Sequence, residues 1–140
     1  MKTRNGKQVN GTTPGNAGTH KQVKTILIAD DDPGIRDVYT IIFENAGFIV
    51  DLKIDGSDLM SDNFEVPDFF LIDKQLSGYS GLDVCRHLKS RADTKDIPLV
   101  IISAAPNIGS LSRQAGADGF IEKPFDLKDL LGTVAHFVGA

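Results

Sequence analysis

Residues Ile26-Leu27-Ile28-Ala29 run straight into Asp30-Asp31-Asp32. Four apolar residues followed at once by polar ones read as a strand buried on both faces, the pattern of a parallel sheet. Its last residues emerge at the sheet edge. The carboxyl ends of such strands are where open α/β sheets place their ligands. Carboxylates crowded there repel one another, and a hard divalent cation is the usual relief. The first third of the chain therefore predicts a Mg2+-type site.

The same pattern recurs. Phe69-Phe70-Leu71-Ile72 ends at Asp73, and Leu99–Ile102, opened by Pro98, ends at Ser103. Between these runs the apolar spacing turns helical. Pro33 sits at a favoured first helical position, Ile35, Val38, Tyr39, Ile42 and Ala46 follow, and Gly47 ends the helix. Phe48–Leu52 predicts a strand and Asp58–Phe64 a short helix. Gly78 and Gly81 mark a loop, and Leu82, Cys85 and Leu88 trace a helix. A short helix over Gly109–Ala115 precedes Gly119-Phe120-Ile121. Asp126 caps a last helix with Leu127, Leu130, Leu131, Val134 and Val138 on one face. Five β–α units in regular alternation predict an α/β fold, a parallel sheet with helices on both faces.

Charge divides the 140 residues unevenly. Residues 1–24 hold five Lys or Arg and no acid, which leaves ten basic and 19 acidic residues, a net of −9, in the rest. The tail over residues 1–23, rich in Gly, Asn and Thr, reads as disordered, and residues 24–140 as one domain. The acidic balance of that domain disfavours direct nucleic-acid binding, so nucleic acid is left off the list of expected partners. No apolar run reaches the length of a membrane span, and no signal segment follows the basic N-terminus. The single cysteine, Cys85, fits a reducing cytoplasm. The expected location is cytoplasmic, with no membrane contact.

Four polar positions thus end separate strands: Asp30/Asp31, Asp73, Ser103 and Lys123. In a doubly wound sheet they converge on one crevice. Asp30 and Asp31 can hold Mg2+ through oxygen, with waters completing the shell. Asp73 can act as a carboxylate nucleophile toward phosphorus. Lys123 can neutralise charge on a transferred phosphoryl group, and Ser103 can donate a hydrogen bond to it. The product is an aspartyl phosphate.

Through Ile26–Pro33, Phe70–Asp73, Val100–Ala104 and Gly116–Phe125, the chain resembles the receiver domain of two-component response regulators, over residues 24–138. The resemblance implies a flavodoxin-like (βα)5 three-layer sandwich with strand order 2-1-3-4-5, a common order among doubly wound folds. It implies that Asp73 takes a phosphoryl group from a sensor histidine kinase or a histidine phosphotransfer protein. Mg2+ would be held by Asp30, Asp31, Asp73 and the backbone carbonyl of Gln75. Ser103 with the Ala104 backbone, Phe120 and Lys123 would form the phosphate-binding and switch set. A downstream protein target would read the face of helix 4, strand 5 and helix 5. A cis peptide is expected between Lys123 and Pro124, where an X–Pro bond carries little cis penalty.

Three positions depart from the common pattern. Ser77 replaces the usual Pro, Ser80 replaces a frequent Asp or Asn, and the segment from Ser103 to Gly116 is about two residues short. Other readings compete. Asp30-Asp31-Asp32 contains the Asp-x-Asp of a haloacid-dehalogenase-type phosphohydrolase, but Gly34 stands where that family wants Thr or Val. Flavodoxin-like electron transfer would need a phosphate loop where three carboxylates stand. A degenerate receiver is disfavoured by the full set of acids, Ser103 and Lys123. The expected role is a phospho-acceptor switch in a phosphorelay rather than a turnover enzyme.

Overall fold

The apolar runs become the interior of a sheet in the computed structural model, which describes residues 22–139. The elements in chain order are β1 (Thr25–Ala29), α1 (Pro33–Asn45), β2 (Ile49–Lys53), α2 (Ser57–Met60) and β3 (Phe69–Asp73). A two-strand hairpin follows, β4 (Gln75–Leu76) and β5 (Tyr79–Ser80), then α3 (Gly81–Lys89), β6 (Leu99–Ser103), α4 (Ile108–Ala115), β7 (Gly119–Glu122) and α5 (Leu127–Val138). The main sheet is parallel, in the order β2-β1-β3-β6-β7. With the hairpin set aside this is 2-1-3-4-5. Every residue of β3 and β6 is buried, while the edge strands β2 and β7 are partly exposed.

Side chains alternate across the sheet and divide the interior into two layers. Leu27, Ala29, Phe70, Ile72, Leu99 and Ile101 pack against α2, α3 and α4. Ile26, Ile28, Phe69, Leu71, Val100, Ile102 and Ile121 pack against Tyr39 and Phe43 of α1 and Leu130 and Val134 of α5. Full burial of such side chains contributes roughly 1.5–3 kcal/mol each, which is what holds the three layers together.

Two elements differ from expectation. The helix expected over Asp58–Phe64 is a single turn, and the following Asp62 lies at φ 64. Its carboxylate accepts from His87 Nε2 at 2.6 Å and Arg91 at 2.9 Å, so the chain leaves the helix to be tied to α3. The segment after β3 is a hairpin rather than open loop, closed at Gly78 with φ +79. Helix α4 is short, as expected, with eight residues, and its N-cap, Asn107, lies at φ 63 with no side-chain capping bond. The tail expected over residues 1–23 lies outside the described residues, save for 22 and 23. Among the described residues no helix is long and apolar enough to cross a membrane.

Candidate functional site

Strand parity assembles the site. Counting on by two from Ile26 and Ile28 reaches Asp30, from Phe69 and Leu71 reaches Asp73, and from Ile121 reaches Lys123. These three approach from the α1/α5 side. Leu99 and Ile101 lead instead to Ser103, on the α3/α4 side. The carboxyl ends of four strands thus bring polar groups into one crevice from both faces of the sheet.

Asp73 is buried, and both of its oxygens are engaged. Lys123 Nζ donates to Oδ2 at 2.5 Å, and the Gln75 amide donates to Oδ1 at 2.8 Å. Asp30 is also buried, and its Oδ1 accepts from the Asp32 amide at 2.9 Å. Its Oδ2 has no partner. Burial pushes the Asp30 carboxyl up to about 6. The Asp32 amide bond opposes this, the charge of Asp73 adds to it, and Lys123 offsets a part. Asp31 is exposed, and its Oδ2 accepts from Ser77 Oγ at 2.8 Å.

The remaining predicted residues surround this centre. Ser103 is buried, and its Oγ accepts from the Ala105 amide at 2.9 Å. The hydroxyl is therefore engaged in its own turn and not bonded to Asp73. Ala104 follows it at the exposed mouth. The Lys123 amide donates to the Ser103 carbonyl at 2.9 Å, so the last two strands are joined at the site itself. The Lys123–Pro124 peptide is cis. Phe120 lies outward, 39% exposed, with its ring edge over Gly109; a Cβ at Gly109 would stand 3.0 Å from Phe120 Cζ.

Local chemistry explains why the chain bends as it does here. Asp32 caps α1, its Oδ1 accepting from the amides of Gly34 at 2.9 Å and Ile35 at 3.4 Å. Ser80 caps α3 by accepting from the Leu82 amide, which an Asp or Asn at that position would also do. Gly81 must be glycine, because a Cβ would lie 2.1 Å from the Asp73 carbonyl oxygen.

One residue escaped the sequence reading. Tyr39 is fully buried with its hydroxyl unpartnered, and its ring stacks on Phe125 at 6.2 Å. Burial first, then the charges of Asp30 and Asp73, hold its phenol proton well above the usual tyrosine range. The helical spacing marked Tyr39 as core, and its polar end is visible only once the acidic pair is in place.

The residues fit a hard cation. A buried carboxylate oxygen without a donor, beside a second buried carboxylate, is a strong anionic site that one lysine only partly balances. All the available donors are oxygens. Among the described residues no three acidic, His or Cys side chains already form a cage. Asp31 is turned to Ser77 and Asp73 to Lys123. An ion such as Mg2+, which keeps several of its own waters, does not require a complete protein cage.

Comparison with known proteins agrees with this geometry. The family model for the response regulator receiver domain matches residues 26–135. The DNA-binding response regulator MtrA of Mycolicibacterium smegmatis is 38% identical over 112 residues, 78% of this chain and 48% of MtrA. The DNA-binding dual master transcriptional regulator RpaA of Synechocystis is 35% identical over 112 residues, 78% of this chain and 46% of RpaA. The chain thus spans about half the length of these curated relatives. Among solved structures, the receiver domain of a sensor histidine kinase from Pseudomonas aeruginosa PAO1, with magnesium coordinated in its active site cleft, gives a TM-score of 0.76 at 23% identity. It covers 85% of this chain and 100% of its own, and bears on the fold.

Two expectations are settled by these findings. The exclusion of nucleic acid from the partners is corrected, because the relatives MtrA and RpaA are DNA-binding regulators. Net charge describes the surface of one domain and carries no information on DNA contacts made by another part of a protein. The phosphohydrolase alternative is not supported: the matching family is a different one, and Asp32, the second acid of its Asp-x-Asp, is used as a helix cap. The parallel five-stranded sheet, the crevice at its carboxyl edge and the match over residues 26–135 lead to one conclusion: this chain belongs to the response regulator receiver domain family, the signalling domain of two-component phosphorelays.

Proposed function

We propose that Asp73 is the phosphoryl acceptor of this receiver and that the phosphoryl donor is a phosphohistidine on a sensor histidine kinase or a phosphotransfer protein. The observation that carries the reading is the buried Asp73 carboxylate at the end of the central strand, with Lys123 Nζ at 2.5 Å and the unpartnered Asp30 oxygen beside it. Asp73 is oriented before the donor arrives, since the Gln75 amide and Lys123 fix its two oxygens. One carboxylate oxygen attacks phosphorus, the O–P bond forms as the N–P bond of phosphohistidine breaks, and the imidazole leaves. Lys123 then pairs with a phosphoryl oxygen in place of the carboxylate. Ser103 exchanges its bond to the Ala105 amide for one to the phosphoryl group, and the Ala104 amide donates alongside it.

Asp30, Asp31, Asp73 and the Gln75 carbonyl are the groups that would hold Mg2+. When bound, Mg2+ supplies positive charge that lowers the repulsion between an incoming phosphoryl group and the acidic pair. No separate substrate is turned over, because the acceptor is the protein's own side chain. By likeness to MtrA and RpaA, the partners of the whole protein include DNA, reached through a segment other than the receiver fold. A cytoplasmic location is part of the same proposal, and the lone, buried Cys85 suits it.

The test is incubation with a small phosphodonor and Mg2+, followed by intact-mass measurement. One phosphoryl adduct is expected on the wild type and none on Asp73→Asn. Undiminished labelling of Asp73→Asn would remove Asp73 from its role.

A further inference from the structure

We propose that Ser77 is a latch on the magnesium site, an inference that rests on the reading of Asp30, Asp31 and Asp73 as its carboxylates. Ser77 Oγ donates to Asp31 Oδ2 at 2.8 Å, across 46 positions of sequence. Asp31 is the exposed member of the acidic set, and among the described residues this hydroxyl is the hydrogen-bond partner of its carboxylate. The other two carboxylates are already fixed, Asp73 by Lys123 and the Gln75 amide and Asp30 by the Asp32 amide. Asp31 is thus the ligand with freedom to move, and Ser77 sets where it rests.

The perch is stiff. Ser77 stands at the tip of the β4–β5 hairpin, where Leu76 pairs with Tyr79 and Gly78 at φ +79 closes the turn. Leu76 anchors one arm in the α3-side core. The other arm ends at Gly81, packed on the Asp73 carbonyl with no room for a Cβ. The backbone of Ser77 therefore stays in place, and its hydroxyl can follow the carboxylate only as far as rotation about the Cα–Cβ bond allows. A cation that draws the Asp31 carboxylate away from Ser77 must break a charge-assisted hydrogen bond. With Asp73 turned to Lys123, this bond leaves Asp31 outside a ready cage among the described residues. A proline at position 77 would carry no hydroxyl and could not compete. The serine lowers the affinity of this site for Mg2+ and makes its occupancy depend on Mg2+ concentration.

The test is a calorimetric titration of the full chain with Mg2+, comparing wild type, Ser77→Ala, Ser77→Thr and Asp31→Asn. Melting in a metal chelator reports that each variant is folded. Ser77→Ala is expected to bind Mg2+ about three- to tenfold tighter, the range a net hydrogen bond to an exposed charge allows. Ser77→Thr keeps the hydroxyl and should match the wild type, and Asp31→Asn should bind more weakly. Equal or weaker binding by Ser77→Ala, or Ser77→Thr behaving like Ser77→Ala, overturns the latch while a weakened Asp31→Asn leaves the site reading standing. Wild-type affinity in Asp31→Asn, or no Mg2+ binding by the wild type, overturns the site reading itself.

Discussion

Asp30 carries a charge that its surroundings do not fully balance. It is 2% exposed, one oxygen has no partner, and Asp73 stands beside it. Burial raises its pKa from 3.8 to about 6, so ionising it works against folding. A folded value above the unfolded one means the metal-free protein loses stability as pH rises from about 4 through 6. Asp30→Asn should therefore raise stability in a chelator at pH 7 by on the order of 1–2 kcal/mol, several degrees in melting temperature, and flatten that pH dependence. A lower melting temperature for the variant would contradict the account. The residues that end apolar runs were legible because burial and position dictate them. The Asp31–Ser77 bond and the orphaned Tyr39 hydroxyl were not, since each depends on groups that the fold brings together from distant sequence.

At the scale of elements, the central strands read directly from sequence because both of their faces are covered. β2 at the edge shifted by one residue, from Phe48–Leu52 to Ile49–Lys53, where one-sided burial leaves a weaker signal. The hairpin after β3 was not legible: its arms are two residues each, too short for any periodicity. Asp32 as a cap was hidden inside the acidic run, and Ser80 reads as a departure although it does the same work as the Asp or Asn it replaces. The loop that carries Ser77 and Ser80 is held at both of these residues. Its tightest point is Gly81. Gly81→Ala must push the Asp73 carbonyl away, and should cost about 1–3 kcal/mol in denaturant midpoints while also weakening Asp73 labelling. A variant with unchanged stability and labelling would show that the hairpin has slack the structure does not display.

At the scale of the molecule, phosphorylation has to become a change in surface. Ser103, buried beneath the mouth of the site, and Phe120, lying outward over Gly109, occupy neighbouring strands paired in register. In the proposed switch, release of the Ser103 hydroxyl from the Ala105 amide toward the phosphoryl group would vacate volume beside β7. An inward ring gains buried apolar area, and a difference of about 1–2 kcal/mol shifts its population roughly 5–30-fold. Ring signals of Phe120 should move when beryllofluoride is added with Mg2+; one unchanged rotamer in both states would mean the signal leaves by another route. Partners were the least legible level, because charge reports on one domain's surface while the DNA contacts of MtrA and RpaA belong to proteins about twice as long. The central claim is the identity of the acceptor. Borohydride reduces an aspartyl phosphate to homoserine, so peptide mapping after reduction reads the site directly. The account predicts homoserine at position 73 alone, dependent on Mg2+ and phosphodonor; homoserine at position 30 or 31 instead, with Asp73 unmodified, would contradict it.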